Sequence, residues 1–407
     1  MTILIVGKSY SGIVRAIEAR GDDYLILRDI VGAKTPEKAL KNRIICDFST
    51  KESVLKAVDN LPRKIDAVIA AYENYILSAA WITDHLGLPG VPVDAAEACT
   101  DKELMRQAFA KAPEKISPGF CVVENEEDVR SFAESHHFPL ILKPASLAKS
   151  LLVTKSNNLD ELISNYNKTM QLIGEVYAKY ATGRQPKVIL EEFLEGTIHS
   201  VDAFIDENGD PDVLECVVDY LTGYDIGFDD NFHYARLLPS TLSADDQQRL
   251  RHVAEVGCRA LHMKSSPAHI EIIMTKEGPR IVEIGARNGG YRERMHGMAN
   301  GIDIMGASLD LRYGKKPVVT TKTNYPCAVL ELFPKTPGIF TEIAHQVDLE
   351  KLASLESFTV KQTIGEFVGS SSDGYKMCAI IVLSNKDSAQ FAKDLNYVNQ
   401  NVHVVTN

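Results

Sequence analysis

The chain has 407 residues, of which 45% are hydrophobic and 24% charged, and its formal net charge is −11. This composition is typical of a globular protein with two to four domains. The negative charge argues against nucleic acid or an anionic membrane as the main partner, and no apolar run is long enough to span a bilayer. The seven cysteines form no C-x-x-C pair, which favours reduced thiols in the cytoplasm over a disulfide or zinc framework.

The first 97 residues alternate short apolar runs with helical patterns. Such alternation predicts a parallel sheet with helices on both faces. The turn at residues 7–12 matches neither common phosphate-loop spacing, so we interpret it as a tight strand-to-helix turn, with a ligand site as the alternative. We expect strands at 3–6, 24–27, 43–45 and 67–71, and helices at 13–20, 51–60 and 75–86.

Two lysines stand at the ends of predicted elements. Lys102 follows Thr100 and Asp101, either of which can cap a helix that runs to about residue 110. In isolation, Lys102 would be interpreted as a solvated surface residue. Lys143 closes an apolar run, where a lysine either extends to solvent or meets a phosphate. The loop after it, residues 145–152, contains no glycine.

A second apolar run begins at residue 187 and ends in Glu191, Glu192, Phe193 and Leu194. Acidic residues are common at strand ends, so this pattern alone predicts no site. The segment 219–240 is rich in Tyr, Asp and Gly, which is typical of a segment lining a pocket. We expect its two basic residues, His233 and Arg236, to be structural surface residues, with a ligand contact as the alternative for each.

The stretch from 268 to 291 predicts a β-hairpin, because two apolar runs flank a turn at 276–278. Each strand places one acid inside an apolar run, Glu271 and Glu283. If these face each other across the ladder, their like charges repel. A divalent cation would remove this conflict, and oxygen ligands fit Mg²⁺. The alternative is an ordinary hairpin with glutamates at its edge.

Arg287 follows this hairpin, and the glycines after it allow the backbone to approach a ligand. A helix is predicted at 303–313. Three basic residues precede that helix, and one of them could pair with a substrate carboxylate, bidentately if it is an arginine. They are Arg292, Arg294 and His296.

Taken in order, these features resemble the ATP-grasp ligases over about residues 1–317. The resemblance implies that Lys102 and Lys143 contact the nucleotide phosphates and that the segment 191–194 binds adenine. It implies that Glu271 and Glu283 bind Mg²⁺, with Mn²⁺ as an alternative ion. It assigns three further roles: Lys149 and Ser150 cover the phosphates, Lys149 and Arg287 act in catalysis, and the amides of Gly289 and Gly290 contact the substrate. For the loop that contains Lys149 and Ser150, a stiff connection between strands is the alternative.

The sequence departs from the family pattern in three places. The loop 145–152 has no glycine where most members have a glycine- and serine-rich flap. Gly285 stands where most members have an asparagine metal ligand. Ile198 stands where the family often has a glutamate that holds the ribose. The last two departures leave open how a second metal ion and the ribose are held.

The resemblance implies a mixed α/β and α+β fold in four parts. These are an N-terminal parallel-sheet domain (1–97), the lid with its leading segment (98–187), a catalytic core with an antiparallel sheet (188–317) and a small C-terminal α+β domain (318–407). The implied activity is ATP-dependent ligation of a small carboxylate to an amine, with amino-acid-like substrates, in the cytoplasm. A homodimer and a monomer are both compatible with this activity. The alternatives are a carboxylase of the purine or biotin type and a nucleotide-binding protein that does not ligate.

Overall fold

The computed structural model describes residues 1–29, 42–147, 151–180, 184–372 and 374–407. In these ranges the strands form four sheets. None of the helices described there has the length and apolar character needed to cross a bilayer.

The N-terminal part is a parallel sheet between helices. Its elements are β1 (Thr2–Val6), α1 (Ser11–Ala19), β2 (Asp23–Asp29), β3 (Arg43–Cys46), α2 (Lys51–Asp59), β4 (Ala67–Ala70) and α3 (Ile76–Leu86). The strand order is β3-β2-β1-β4. Along β1, Ile3 and Ile5 pack with α1, whereas Leu4 and Val6 pack with α2. The strands and helices predicted here are confirmed, and a 3-10 turn, Glu73–Tyr75, joins β4 to α3.

The second part is an antiparallel sheet packed against two helices. Its elements are α4 (Val93–Thr100), α5 (Lys102–Phe109), β5 (Phe120–Val123), α6 (Glu126–Ser135), β6 (Leu140–Pro144), β7 (Thr154–Ser156), α7 (Leu159–Tyr180) and β8 (Val188–Glu192). The strand order is β5-β8-β6-β7. The Asp101 side chain accepts the amides of Glu103 and Leu104, which confirms the predicted cap of α5.

The third part contains the predicted hairpin and the strands that extend its sheet. Its elements are β9 (Gly196–Ile205), β10 (Pro211–Val213), β11 (Val218–Thr222), β12 (His233–Leu238), α8 (Ala244–Ala260), β13 (Ser266–Thr275), β14 (Gly278–Gly285), α9 (Arg292–Asn300) and α10 (Ile304–Arg312). The predicted hairpin is confirmed as the antiparallel pair β13–β14.

The C-terminal part adds strands to that same sheet and forms a small sheet of its own. Its elements are β15 (Cys327–Leu332), β16 (Gly338–Ile343), α11 (Gln346–Leu349), β17 (Leu355–Val360), β18 (Phe367–Val368), β19 (Ala379–Ser384), α12 (Ser388–Asn401) and β20 (Val404–Thr406). The large sheet has the order β14-β13-β9-β11-β12-β15-β19-β17, with β10 on β9, and the small one β18-β16-β20. The predicted fold class is confirmed. The domain limits stay a prediction, and the pairing of β12 with β15 carries one sheet across residue 317.

One face of the large sheet packs against the core with α8. The opposite face, which we call the polar face, carries polar side chains at β13 and β14 and apolar ones at β11, β12 and β15. Residues directly opposite each other on antiparallel strands point to the same face. Glu283 lies opposite Glu271, and Glu271 lies opposite Ser200. The neighbouring Ile270 and Ile284 pack in the core with α8. The candidate site therefore lies on the face that carries the acidic residues.

Candidate active site

The two hairpin glutamates face each other, as predicted, in the register of β13 and β14. An oxygen of Glu271 lies 3.6 Å from Nε2 of His269. Burial acts to raise the pKa of Glu271. The hydrogen bond from His269 and the charges of His233 and Arg287 outweigh it and hold that pKa well below its usual range. Glu271 is therefore an ionised acceptor at neutral pH, as a metal ligand must be.

Lys102 begins α5 and reaches the same place. Its Nζ donates a 2.9 Å hydrogen bond to the carbonyl oxygen of Leu147 and lies 3.5 Å from Glu283. Its amide also donates to the carbonyl of Ala145, just past β6. The start of α5 is thus fixed between the hairpin and the end of β6.

Lys143 belongs to a buried group of two cations and one anion. Its Nζ lies 2.7 Å from Glu191, and Arg106 donates to the other oxygen of Glu191 at 2.8 Å. Arg106 also donates to the carbonyl of Val282, the residue before Glu283. Burial lowers the pKa of Lys143 to about 8, helped by Arg106 and Lys102 and opposed by Glu191.

Arg106 is fully buried, and its Nη1 has no hydrogen-bond partner within the described ranges. A buried donor in this state is costly. The excess positive charge of Arg106 and Lys143 over Glu191 is suited to an anionic ligand such as a phosphate.

Arg287 is held by a residue from the N-terminal part. Its Nε donates a 2.8 Å hydrogen bond to Glu73, which lies in the turn after β4. Burial raises the pKa of Glu73 above its usual value, and the charge of Arg287 offsets only part of this rise. A Cβ atom at Gly285 would lie 3.1 Å from a Glu73 oxygen. Glu73 thus occupies space that a side chain at position 285 would need.

The two glycines after Arg287 have different surroundings. A Cβ at Gly289 would lie 2.4 Å from Nδ1 of His269, so a side chain cannot fit there. A Cβ at Gly290 would meet no atom within 4 Å. Gly290 therefore borders open space next to Arg287, and the substrate contact predicted for both glycines stays a prediction.

At the end of β8, Glu192 accepts hydrogen bonds from the Gly119 amide at 2.7 Å and from Lys115 at 3.2 Å. The ring of Phe193 lies 4.1 Å from Nζ of Lys155. Phe193 and Leu194 are half-buried. The binding of adenine by this segment stays a prediction. The side chains of Glu191 and Glu192 contact other residues of the protein. Lys149 and Ser150 lie outside the described residues.

Arg292 and His296 are buried under the large sheet. Both contact Asp202, at 3.4 Å each, and His269 contacts it at 2.9 Å. Arg294 is exposed and donates to Ser357 Oγ. The substrate roles predicted for these three basic residues stay predictions. The internal partners of Arg292 and His296 instead make them part of a network that supports His269, next to Glu271.

His233 and Arg236, expected on the surface, are largely buried. Arg236 forms a 3.1 Å ion pair with Glu331, and its side chain is 12% exposed. The ring of His233 packs against Tyr220. The expectation was wrong because these partners lie on β11 and β15, the neighbours of β12, and local sequence does not indicate them.

Sequence reasoning missed Glu73 and Arg106. Glu73 comes just after a parallel strand, where ligand-contacting residues of such sheets lie, and this position was an available signal. Arg106 follows Lys102 by four residues and so shares its helix face. Neither partner, Arg287 or Glu191, could be deduced from spacing.

The side chains at this site fit a Mg²⁺ ion that takes its other ligands from phosphates. Glu271 and Glu283 offer only carboxylate oxygens, the ligands that Mg²⁺ prefers. Across the described ranges, no three His, Cys, Asp or Glu side chains converge closely enough to hold a metal ion by themselves. Mg²⁺ typically takes one or two carboxylates and completes its shell with phosphate oxygens and water.

Residues 136–293 match the family model described as ATP-grasp domain. The chain contains an ATP-grasp domain. The matched range includes Lys143, both hairpin glutamates and Arg287, while Lys102 and Glu73 precede it.

Two curated relatives are ligases or synthases by name. Alanine–anticapsin ligase of Bacillus subtilis (strain 168) is 29% identical over 245 residues, which are 56% of this chain and 49% of the relative. Carnosine synthase 1 of Homo sapiens is 23% identical over 279 residues, 64% of this chain and 32% of the relative. The chain thus spans about half or less of these relatives' length.

A solved structure extends the likeness beyond the ATP-grasp domain. The crystal structure of L-amino acid ligase from Bacillus licheniformis matches with a TM-score of 0.82 at 16% identity. The match covers 100% of this chain and 98% of the other. The two proteins therefore share a fold along their whole length.

Proposed function

We propose that the protein is an ATP-dependent ligase that joins the carboxylate of one amino-acid-like substrate to the amine of another and releases ADP and phosphate. The observation that carries this proposal is the pair Glu271–Glu283, with Lys102 3.5 Å from Glu283. Arg287 lies beside this pair. The names of the two curated relatives support the same reaction class.

In this proposal, the nucleotide lies on the lysine side of the carboxylate pair. Lys102 and Lys143 bind its phosphates, and the segment 191–194 receives the adenine. Lys149 and Ser150 belong to the loop that covers the phosphates. When bound, ATP supplies the phosphoryl group, and Mg²⁺ held by Glu271 and Glu283 neutralises phosphate charge.

The proposed reaction has two steps. A carboxylate oxygen of the first substrate bonds to the γ-phosphorus, and the bond from that phosphorus to ADP breaks. The amine of the second substrate then attacks the acyl carbon, the carbon–oxygen bond to phosphate breaks, and the amine proton leaves to solvent. The chain contributes mainly alignment and charge. Arg287 and the amides of Gly289 and Gly290 stabilise the oxyanion of the second step.

The direct test measures ADP released by the purified protein with Mg²⁺ and all pairs of the standard amino acids, together with polyamines as amines. We expect ADP release that depends on the substrate pair and a product that contains one new amide bond, detected by mass spectrometry. If the protein binds ATP but releases ADP with none of the pairs, it is instead a nucleotide-binding protein that does not ligate.

ATP affinity should fall as pH rises through about 8. The pKa of Lys143 in the unliganded protein is about 8, and only the charged ammonium binds phosphate well. Above that pKa, binding requires proton uptake, so affinity should drop up to about tenfold per pH unit. Calorimetry from about pH 7.5 to 9.5 measures this slope. Lys143→Arg provides the control because an arginine stays charged throughout. An equal slope in this variant would remove Lys143 as the cause.

A further inference from the structure

Arg236 is fixed in one orientation on the polar face of the large sheet. Its Nη1 contacts Glu331 at 3.1 Å and donates to the carbonyl of His233 at 3.0 Å. The rings of Tyr220 and Tyr291 lie 5.8 and 5.4 Å from its guanidinium carbon. Glu331 is itself held by a 2.7 Å hydrogen bond from the Tyr291 hydroxyl.

The other edge of this guanidinium is open. Nε and Nη2 of Arg236 have no hydrogen-bond partner within the described part of the chain. Some side-chain nitrogens are fully buried and lack a hydrogen-bond partner, as Nε of Arg292 does, but Nε and Nη2 of Arg236 are not among them. The Nε–Nη2 edge therefore reaches solvent. Its two parallel N–H groups match the two oxygens of a carboxylate.

This edge lies on the side of Glu271 that faces away from the nucleotide lysines. β12 is the third strand from β13, about 14 Å away at the usual strand spacing. Between them, the Tyr220 hydroxyl lies 3.4 Å from His269, which contacts Glu271. The order across the sheet is therefore lysines, carboxylate pair, then Arg236.

Arg236 is a positive group at this end of the site. Arg292 donates to the Tyr220 hydroxyl at 2.6 Å, but its charge faces Asp202 at 3.4 Å. Burial lowers the pKa of His233, whose ring packs on Tyr220. Glu331 offsets part of the charge of Arg236 but occupies only Nη1. An anion that approached the open edge would meet two donors.

We propose that the Nε–Nη2 edge of Arg236 binds the carboxylate of the amine-bearing substrate, and that the enzyme therefore selects amino acids over amines that lack a carboxylate. This inference rests on the proposed ligase function. The carboxylate of the first substrate is consumed in the reaction, so the anion at Arg236 belongs to the second substrate. Tyr220, Tyr291 and Glu331 act as positioning residues.

The test compares acceptors with and without a carboxylate. The amino acid that the pair screen identifies as carboxylate donor is kept at a fixed saturating concentration, and the acceptors are the standard L-amino acids and their α-amides. An amide has no α-carboxylate to activate, so it acts only as acceptor when its side chain is neutral. For the wild type we expect KM to be about 10–100-fold lower for the acid than for its amide. Arg236→Met should raise the KM of the acid by that factor and leave the KM of the amide unchanged.

Two further variants separate recognition from folding. Arg236→Met leaves Glu331 without its cation, so the double variant Arg236→Met/Glu331→Gln removes both charges and should show the same loss of selectivity. Arg259→Met removes an exposed arginine of α8, which packs on the opposite face of the sheet, and should change nothing; this arginine pairs with Asp210. Calorimetry should give equal ATP affinity for all variants.

The outcomes distinguish the two proposals. If no pair in the screen supports ADP release, the ligase function fails and this inference fails with it. If ligation occurs but the wild type uses acids and amides equally, the role of Arg236 alone is wrong. If both Arg236 variants still prefer acids over amides, the proposed role of Arg236 is also wrong.

Discussion

Glu283→Gln is expected to reduce ADP formation by about 10²–10³-fold or more at saturating ATP. The substitution keeps the size of the side chain but removes half of the negative charge of the Glu271–Glu283 pair. It also removes the counter-charge of Lys102, 3.5 Å away. With one carboxylate left, Mg²⁺ binding and phosphate alignment weaken together. A coupled ADP assay measures the loss, and Glu271→Gln should act in the same direction.

The fold should survive this change. The Glu283 side chain is 37% exposed, so an amide there remains solvated, and circular dichroism should match the wild type. ATP with Mg²⁺ should raise the thermal midpoint of the wild type by mass action, and this shift should shrink in the variant. Glu277→Gln is the matched control, because this carboxylate lies in the turn of the same hairpin and is 81% exposed. Wild-type turnover in Glu283→Gln would mean that the hairpin is only structural.

The hairpin could be predicted because its turn and its two apolar runs are local. The turn pairs Thr275 with Gly278, and a β-bulge between Glu271 and Ile272 then shifts the register by one residue, so that Glu271 lies opposite Glu283. The sequence indicates the hairpin but not the bulge. The cap of α5 by Asp101 is local in the same sense. Such features depend on neighbours within a few residues, where periodicity and turn chemistry are informative.

The surroundings of these residues depend on distant parts of the chain. Arg287 is held by Glu73, which lies 214 positions earlier. Arg236 was expected at the surface, yet Glu331 and Tyr291 enclose it from a strand and a helix start that come later in the chain. The C-terminal strands likewise join the large sheet through β12 and β15. A single sequence gives no signal for such pairings, because periodicity reports which face is buried and not what covers it.

Glu191→Gln should destabilise the protein, whereas Lys143→Met should not. Glu191 is the anion between Arg106 and Lys143, all three side chains being at most 7% exposed. Without that anion, two buried cations repel each other with no compensating charge. Removing one partner of a buried ion pair typically costs about 3–5 kcal/mol. Lys143→Met leaves Arg106 and Glu191 as a balanced pair, so its effect on stability should stay within about 1 kcal/mol.

The two variants should therefore separate stability from nucleotide binding. In thermal denaturation, Glu191→Gln should lower the midpoint by about 5 °C or more, and Lys143→Met should stay near the wild type. By calorimetry, Lys143→Met should weaken ATP binding by about tenfold or more, since a charge-assisted contact is lost. Equal midpoints for both variants would show that Glu191 does not hold the cations together. Unchanged ATP affinity in Lys143→Met would remove this lysine from the phosphate site.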